Sequence, residues 1–463
     1  MSFLDKVIEN LPEVTPPAQK KQSFKTKLKW TSIVLALYFI LALIPLYGLG
    51  ENALEQFAFL STILGASFGS LVSLGIGPIV TASIVLQLLN GSGITNFDLT
   101  KDADKRRFQG TQKIMAVFFT VVEAFVFVLL GGFTPEPGIS PLVLVGQLII
   151  GGLFIILMDD IIGKYGFGSG VSLFIAAGVS QEIFVQLFNP FPSPFNPEIA
   201  AGALPAIFQS LTGGAEGAQT ASIEIARVLG TIAIFFVVVF AQAMKVEIPL
   251  SFGRVKGHGV RWPLKFLYAN VIPIILVAAL IANLQLLATF LDNSGYPILG
   301  TFTEDPNQGA IPESGFIYWI NPPELLREMV IGSFTPSMLL QGLSYILIYV
   351  AGAVLFSIFW VQTAGLDARS QAKQMMASGL QIPGFRKDKR VLERILKRYI
   401  SPLTVLGGIA IGLLASVADL LGAIGTGTGL LLTVMILYRL YEEIAKQHMY
   451  DMNPLMRKFM GGN

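Results

Sequence analysis

A chain of 463 residues that is 53% hydrophobic and only 13% charged, with a formal net charge of +2, is not an ordinary soluble domain. Such domains carry about 25% charged residues, so this composition belongs to a polytopic membrane protein. Cysteine is absent, which excludes disulfides, thiolate metal sites and a thiol nucleophile. The two histidines, His258 and His448, lie far apart in polar surroundings, which argues against metal catalysis.

The amino-terminal stretch Met1–Lys29 is mixed and charged, unlike a secretory signal. Phe3, Leu4, Val7, Ile8 and Leu11 recur at helical spacing, so a short amphipathic helix on the membrane surface is expected, ended by Pro12, Pro16 and Pro17. Ten spans follow from apolar length: Trp30–Leu49, Ile76–Leu89, Ile114–Leu130, Pro141–Met158, Val171–Phe188, Val228–Met244, Leu264–Phe290, Met338–Val361, Pro402–Leu421 and Leu430–Tyr441.

The second span has an unusual preface. From Ala58 to Leu89 no residue is charged, which is too long for one crossing of about 20 residues and too short for two with a turn. Gly65, Gly69, Gly75 and Gly77 interrupt it, and Pro78 follows at once. Glycine and proline release backbone groups that must be satisfied by protein or a water-lined cavity. The pattern predicts a half-helix (Ala58–Ser70), a break, and a full span from about Ile76; a kinked ordinary span is the plainer alternative. A half-helix that enters without crossing marks a pore lining, gate or stopper.

Orientation follows from the cations. Of the 32 lysines and arginines, all but Arg227 and Arg327 fall in loops on one side, which the positive-inside rule makes cytoplasmic, both termini included. On the other side Glu51–Gln56 is short and acidic, and Asn189–Ser222 is turn-rich and reads as irregular. Asp292–Pro336 is long and acidic, the kind of loop that packs on the membrane domain as a cap.

The spans divide into five and five, and the halves echo one another. GIGPIV (Gly75–Val80) in span two is matched by VIPII (Val271–Ile275) in span seven, and GFGSG (Gly166–Gly170) before span five by GTGTG (Gly425–Gly429) before span ten. Five is odd, so the repeat is inverted, and such repeats bracket a site near the bilayer midplane. If these four spans face a common centre, the residues after each marker are Ile76, Val80, Val171, Ile175, Ile275 and Leu432, all aliphatic. A solute transporter needs polar groups there, and a selective ion channel needs carbonyl or carboxylate rings. A collar of branched aliphatics repels ions by dewetting yet can deform around something large. Each of the six, taken alone, also reads as an ordinary packed residue.

Glu123 is the clearest ionisable group inside a span and should face another span or water. Thr81 and Asn283 are its candidate partners, in a weak and reversible contact between helices; a proton relay is the functional competitor. Asp159 and Asp160, at a span end where hydration is cheap, are assigned no role. Two loops on the basic side, Lys245–Lys265 and Leu366–Arg398, concentrate charge. Composition alone explains them by the positive-inside bias and anionic headgroups, though they also suit RNA phosphate.

Five segments together carry a resemblance: LGIGPIVTASIVLQLL (Leu74–Leu89), KYGFGSGVSLFIAAGVSQ (Lys164–Gln181), VEIPLSFGRVKG (Val246–Gly257), GFRK (Gly384–Lys387) and GTGTGLLLTVMILYRLYE (Gly425–Glu442). In this order, and over essentially the whole chain, the sequence resembles the SecY family, the channel-forming α subunits of the Sec protein-conducting translocon, in wording closest to the archaeal branch. The resemblance implies an all-α polytopic membrane protein of ten transmembrane helices in two inverted pseudo-symmetric halves of five, hinged between spans five and six. It implies a cytoplasmic segment (1–29), an amino-terminal half (30–190), an external linker (191–225), a carboxy-terminal half (226–448) and a cytoplasmic tail (449–463).

The same resemblance gives roles. The collar positions match a pore ring, and Ala58, Phe59, Leu60, Ser61, Thr62, Ile63, Leu64, Gly65, Ala66, Ser67 and Phe68 match the plug that closes the pore from outside. Spans two and three against seven and eight would form a lateral gate with Thr81, Glu123 and Asn283 at its polar positions. Arg254, Lys256, Arg386 and Lys387 match loop-tip residues that dock the ribosome. Implied partners are SecE-type and Sec-beta-type small membrane subunits, the ribosome, signal sequences, nascent polypeptides and lipid; no cofactor is implied. The expected protein is a passive, multi-pass channel of the cell membrane rather than an enzyme, and no Walker-type GxxxxGK[ST] sequence supplies it with a motor. A secondary transporter coupled to a proton through Glu123 stays open on the residues alone. An intramembrane enzyme lacks any nucleophile–base pair in the spans.

Overall fold

The computed structural model describes residues 13–17, 22–52, 67–91, 93–95, 97, 101–129, 132–192, 199–211, 214–252, 259–269, 271–305, 309–377, 380–381 and 388–452. The first half opens with α1 (Phe24–Ala42), begun by Ser23, whose Oγ accepts the Thr26 amide at 3.3 Å. Strand β1 (Leu49–Asn52) follows, then α2 (Gly77–Gly91), α3 (Asp102–Leu129), β2 (Phe133–Pro135), α4 (Pro141–Tyr165) and α5 (Gly170–Phe188). Strands β1 and β2 pair antiparallel and join the ends of spans one and three on the face away from the cations.

A short helix α6 (Ala203–Ser210) and the long α7 (Gly214–Ala243) lead into the second half. Next come β3 (Lys245–Phe252), β4 (Gly259–Lys265), α8 (Ile272–Asn293), the hairpin β5 (Phe302–Asp305) and β6 (Gly309–Pro312), α9 (Gly315–Ile320) and α10 (Leu325–Ile331). The chain closes with α11 (Pro336–Thr363), α12 (Ala368–Ala377), β7 (Leu380–Gln381), α13 (Lys389–Leu420) and α14 (Gly427–Met452). Each of the ten expected spans is thus a helix: α1 to α5, α7, α8, α11, α13 and α14. Among the described residues seven helices are long and apolar enough to cross a membrane unaided. Helix α2 is too short, and α1 and α14 carry charges at their basic-side ends.

The two halves pack alike. In the first, α1 meets α4 and α5, α2 meets α3, and α4 meets both α3 and α5. In the second, α7 meets α13 and α14, α8 meets α11, and α13 meets both α11 and α14. Every pairing of the first half recurs at the corresponding span of the second. Between the halves, α2 touches α8 and α11 on one side, while α5 and α1 touch α14 on the other. One apolar cluster runs through both halves.

Several helices run past the apolar limits read from the sequence, and three differences have a local cause. Span one stops at Ala42, not Leu49, because Pro45 ends the helix and forms a bridge with Ser70 instead. Span seven starts at Ile272, not Leu264: Leu264 and Lys265 are the last residues of β4, paired with Val246 and Lys245, and Pro273 sits in the first turn of the helix. The turn-rich stretch Asn189–Ser222 is partly helical, since α6 and the first turns of α7 fall inside it. At 30 residues α7 extends about 45 Å, beyond a hydrocarbon core of about 30 Å, so its glycine- and glutamate-containing start stands clear of the lipid.

The long outer loop does form a cap. Gln341 of α11 donates to the carbonyls of Tyr318 (3.0 Å) and Asn321 (3.2 Å), Gln285 of α8 donates to Asn321 Oδ1 (3.2 Å), and Ser344 donates to the Trp319 carbonyl (3.1 Å). On the basic face, residues 13–17 are tied down: the Val14 amide donates to Asp160 (2.9 Å), Lys164 to the Val14 carbonyl (2.6 Å) and Tyr165 to the Thr15 carbonyl (2.8 Å). The expected amphipathic helix before them lies outside the described residues.

Candidate functional site: an aliphatic collar between the halves

The six collar positions lie in or against one large apolar cluster. Ile175 and Leu432 are fully buried, Ile76, Val80 and Ile275 are at most 3% exposed, and all five belong to the large cluster that runs through both halves. Val171 is half-buried and packs on the same cluster. Each residue stands at or near the start of its helix, because glycine and proline set those starts. Ile76 immediately precedes α2 and Val80 lies in its first turn; Pro78 and Pro273 occupy the second positions of α2 and α8. Gly168 (φ +71°) and Gly425 (φ +74°) each lie two residues before the helix that follows, α5 and α14. At 15 residues, about 22 Å, α2 is too short to reach across a hydrocarbon core of about 30 Å.

The break before α2 is built from serines. Residues 67–76 are turns and a bridge rather than helix, so the expected half-helix Ala58–Ser70 does not extend through Ser67–Ser70; residues 58–66 lie outside the described residues. Non-helical backbone at membrane depth must be satisfied within the protein. Ser70 Oγ donates to the Ser67 carbonyl (2.7 Å), Ser73 Oγ to the carbonyls of Ser70 (2.5 Å) and Ser67 (3.1 Å), and Ser67 Oγ to the Ala42 carbonyl (3.3 Å). The Leu46 and Leu71 amides bond the carbonyls of Gly69 and Ile44, both at 2.9 Å. Gly151 on α4 makes room: a Cβ there would fall 1.7 Å from the Leu71 carbonyl oxygen. Gly69 (φ +89°) and Gly75 (φ +53°) take the left-handed turns. The serine spacing is a sequence signal of this break that apolar length does not reveal.

On one seam between the halves, Thr81 donates to Glu123 Oε1 at 3.1 Å and accepts from Asn283 Nδ2 at 3.4 Å, so the three expected gate residues form one chain across α2, α3 and α8. Aromatic rings flank it: Phe127 of α3 lies 5.9 Å from Phe290 of α8, and 6.3 Å from Phe68. On the opposite seam Gln186 of α5 accepts from the Gly425 amide (3.1 Å) and from Arg227 (3.4 Å), while the Ile424 amide donates to Thr231 (2.9 Å).

Arg254, Lys256, Arg386 and Lys387 lie outside the described residues. Their supports do not. Strands β3 and β4 pair over seven residues, and β7 adds to β3 through Ser251–Gln381 and Phe252–Leu380. Both basic loops therefore leave one three-stranded sheet. Asp159, given no role by the sequence reading, bonds the Val171 amide at 3.0 Å. Asp419 was missed altogether; it accepts the Thr428 amide at 2.8 Å, the Tyr345 hydroxyl at 2.7 Å and the Thr428 hydroxyl.

Comparison with known proteins adds to this geometry. Residues 70–441 match the family described as SecY, and residues 37–69 match the plug domain of Sec61p. The protein translocase subunit SecY of Methanothermobacter thermautotrophicus is 46% identical over 457 residues, 97% of each chain. Among solved structures, a SecY protein whose plug domain stabilises the closed state of the translocation channel and maintains a membrane seal superposes with a TM-score of 0.82 at 41% identity, over 98% of this chain and 99% of that one. Sec61 in the canine ribosome–channel complex from the endoplasmic reticulum gives 0.79 at 40% identity, over 98% and 99%.

Proposed function

We propose, because this chain belongs to the SecY family, that it is the protein-conducting channel through which unfolded or nascent polypeptide crosses the membrane and from which hydrophobic segments pass sideways into lipid. The observation that carries the reading is the collar: six aliphatic residues, drawn from four helices and both halves, five of them buried in one cluster and Val171 packed against it. It offers no hydrogen bond to a small solute or ion, and its side chains can part around an extended chain. Ala58–Phe68, the stretch read as the plug, seals it from the outer face. The seam of Thr81, Glu123 and Asn283 is the lateral gate. A polar chain worth about 0.6–2 kcal/mol per contact holds helices together yet lets them separate, and a hydrophobic segment then partitions by ordinary transfer energies.

The protein is a multi-pass resident of the cell membrane with both termini in the cytoplasm, the side that carries the lysines and arginines. Its partners are SecE-type and Sec-beta-type small subunits, and the ribosome, which docks on Arg254, Lys256, Arg386 and Lys387. The shared sheet under these two loops supports a single docking surface. Chemistry is not its work; the ribosome drives the chain. The test is site-specific crosslinking: a photoreactive side chain at Ile76 or Ile275 should capture a polypeptide stalled in transit, and one at Phe236, exposed on the outside of α7, should not. Equal capture from both positions, or none, would overturn the assignment.

A further inference from the structure

Two carboxylates outside the collar hold the helices that carry it. Asp159, near the end of α4, accepts the Val171 amide at 3.0 Å and faces that of Gly170. Asp419, next to the last residue of α13, accepts the Thr428 amide at 2.8 Å on one oxygen and faces the Gly427 amide; its other oxygen takes the hydroxyls of Thr428 and Tyr345. The approach is close enough to require glycine. A Cβ at Gly170 would fall 2.6 Å from the Asp159 Cα, and one at Gly427 would fall 2.0 Å from the Ala418 carbonyl carbon.

These are corresponding places in the two halves. Helices α4 and α13 are spans four and nine, and α5 and α14 are spans five and ten. In each pair the carboxylate of the earlier span takes up the first free amides of the later one, which have no partner within their own helix. Because the repeat is inverted, one clamp acts from the basic side and the other from the opposite side.

We infer that Asp159 and Asp419 are positioning residues for the seal, fixing the depth and rotation at which α5 and α14 present their collar side chains. Val171 is itself the residue whose amide is held, and Ile175 follows one turn later. Leu432 stands one turn beyond Thr428, on the helix that Asp419 holds. A slip at either helix start is transmitted to the collar through a single rigid turn, with no intervening loop to absorb it. This rests on the collar reading given above.

The test is potassium chloride conductance of the full channel, purified with the small subunits that accompany it, in a planar bilayer at rest. Asp159→Ala and Asp419→Ala should each raise resting conductance by roughly fivefold, the shift in population that loss of a typical helix cap brings. Asp159→Asn and Asp419→Asn keep an acceptor oxygen and should stay near the parent. Asp388→Ala is the control. It removes an exposed cap of α13, whose carboxylate accepts the Arg390 amide at 2.8 Å, far from any collar residue in sequence, and should leave the seal intact. Alanine variants as tight as the parent, or an equal leak from Asp388→Ala, would overturn the inference. Should an alanine variant not accumulate in membranes, Asp159→Glu and Asp419→Glu, which keep the charge but displace the acceptor by one methylene, are judged by the same two outcomes. Glycine variants of the collar run alongside separate the ideas: a leak there with tight aspartate variants removes the positioning role alone, and a tight seal in both removes the collar reading.

Discussion

Phe127 packs edge-on against Phe68, with ring centroids 6.3 Å apart, and also against Phe290 at 5.9 Å. One buried ring on α3 therefore touches both the last residue of the proposed plug and the facing wall of the proposed gate. Opening the seam between α3 and α8 must disturb the contact that borders the plug. The proposed plug and the proposed gate therefore share this side chain.

Phe127→Ala should loosen both. Aromatic pairs contribute about 0.5–1.5 kcal/mol beyond area burial, and truncating a core phenylalanine costs about 3–5 kcal/mol. The expected outcome is a lower melting temperature and a resting ion leak, whereas Phe127→Leu, which keeps most of the volume, should hold the seal. Thermal unfolding in detergent and bilayer conductance read the two effects separately.

On the proposed gate reading, the polar chain across the seam should set how easily it opens. Asn283→Ala removes the donor to Thr81 and should weaken the closed seam by about 1 kcal/mol. A signal sequence of marginal hydrophobicity should then be accepted more readily. The check is export of a reporter behind signals of graded hydrophobicity, where the threshold should fall in the variant.

The serine-built break predicts a local fault line. Ser73→Ala removes one hydroxyl donor from the carbonyls of Ser67 and Ser70, each of which keeps a backbone amide, and should cost about 0.5–1.5 kcal/mol. Gly151→Ala drives a methyl into the Leu71 carbonyl; overpacking of this kind costs about 1–3 kcal/mol or more. Both should lower the melting temperature, Gly151→Ala more than Ser73→Ala.

Ribosome docking should be electrostatic. Reversing Arg254 and Arg386 to glutamate should abolish a co-sedimentation with ribosomes that already weakens as salt rises. Undiminished association in the double variant would assign docking to other residues.

The helical architecture was legible because a membrane imposes length and charge rules that hold residue by residue. The ten spans could be read from apolar runs and cation placement, and the glycine–proline markers pointed to the six proposed collar positions, five of them buried in the large cluster. What escaped was decided by hydrogen bonding rather than hydropathy. Pro45 and Leu264 sit within apolar runs, yet a bridge to Ser70 and a strand register take them out of helix. Asp159 and Asp419 look like hydrated span ends in one dimension; only the fold brings them to the amides of Val171 and Thr428. The gate triad was legible for the opposite reason, since polar groups isolated in hydrocarbon have few partners to choose from.

The most direct measurement is resting ion conductance of channels carrying glycine at collar positions, Ile76→Gly, Ile175→Gly, Ile275→Gly and Leu432→Gly, singly and combined. Cutting back these buried side chains should open a steady leak that grows with each substitution, while glycine at exposed Phe236 leaves the membrane tight. A seal unchanged in every collar variant would contradict the central claim that converging aliphatic side chains close this pore.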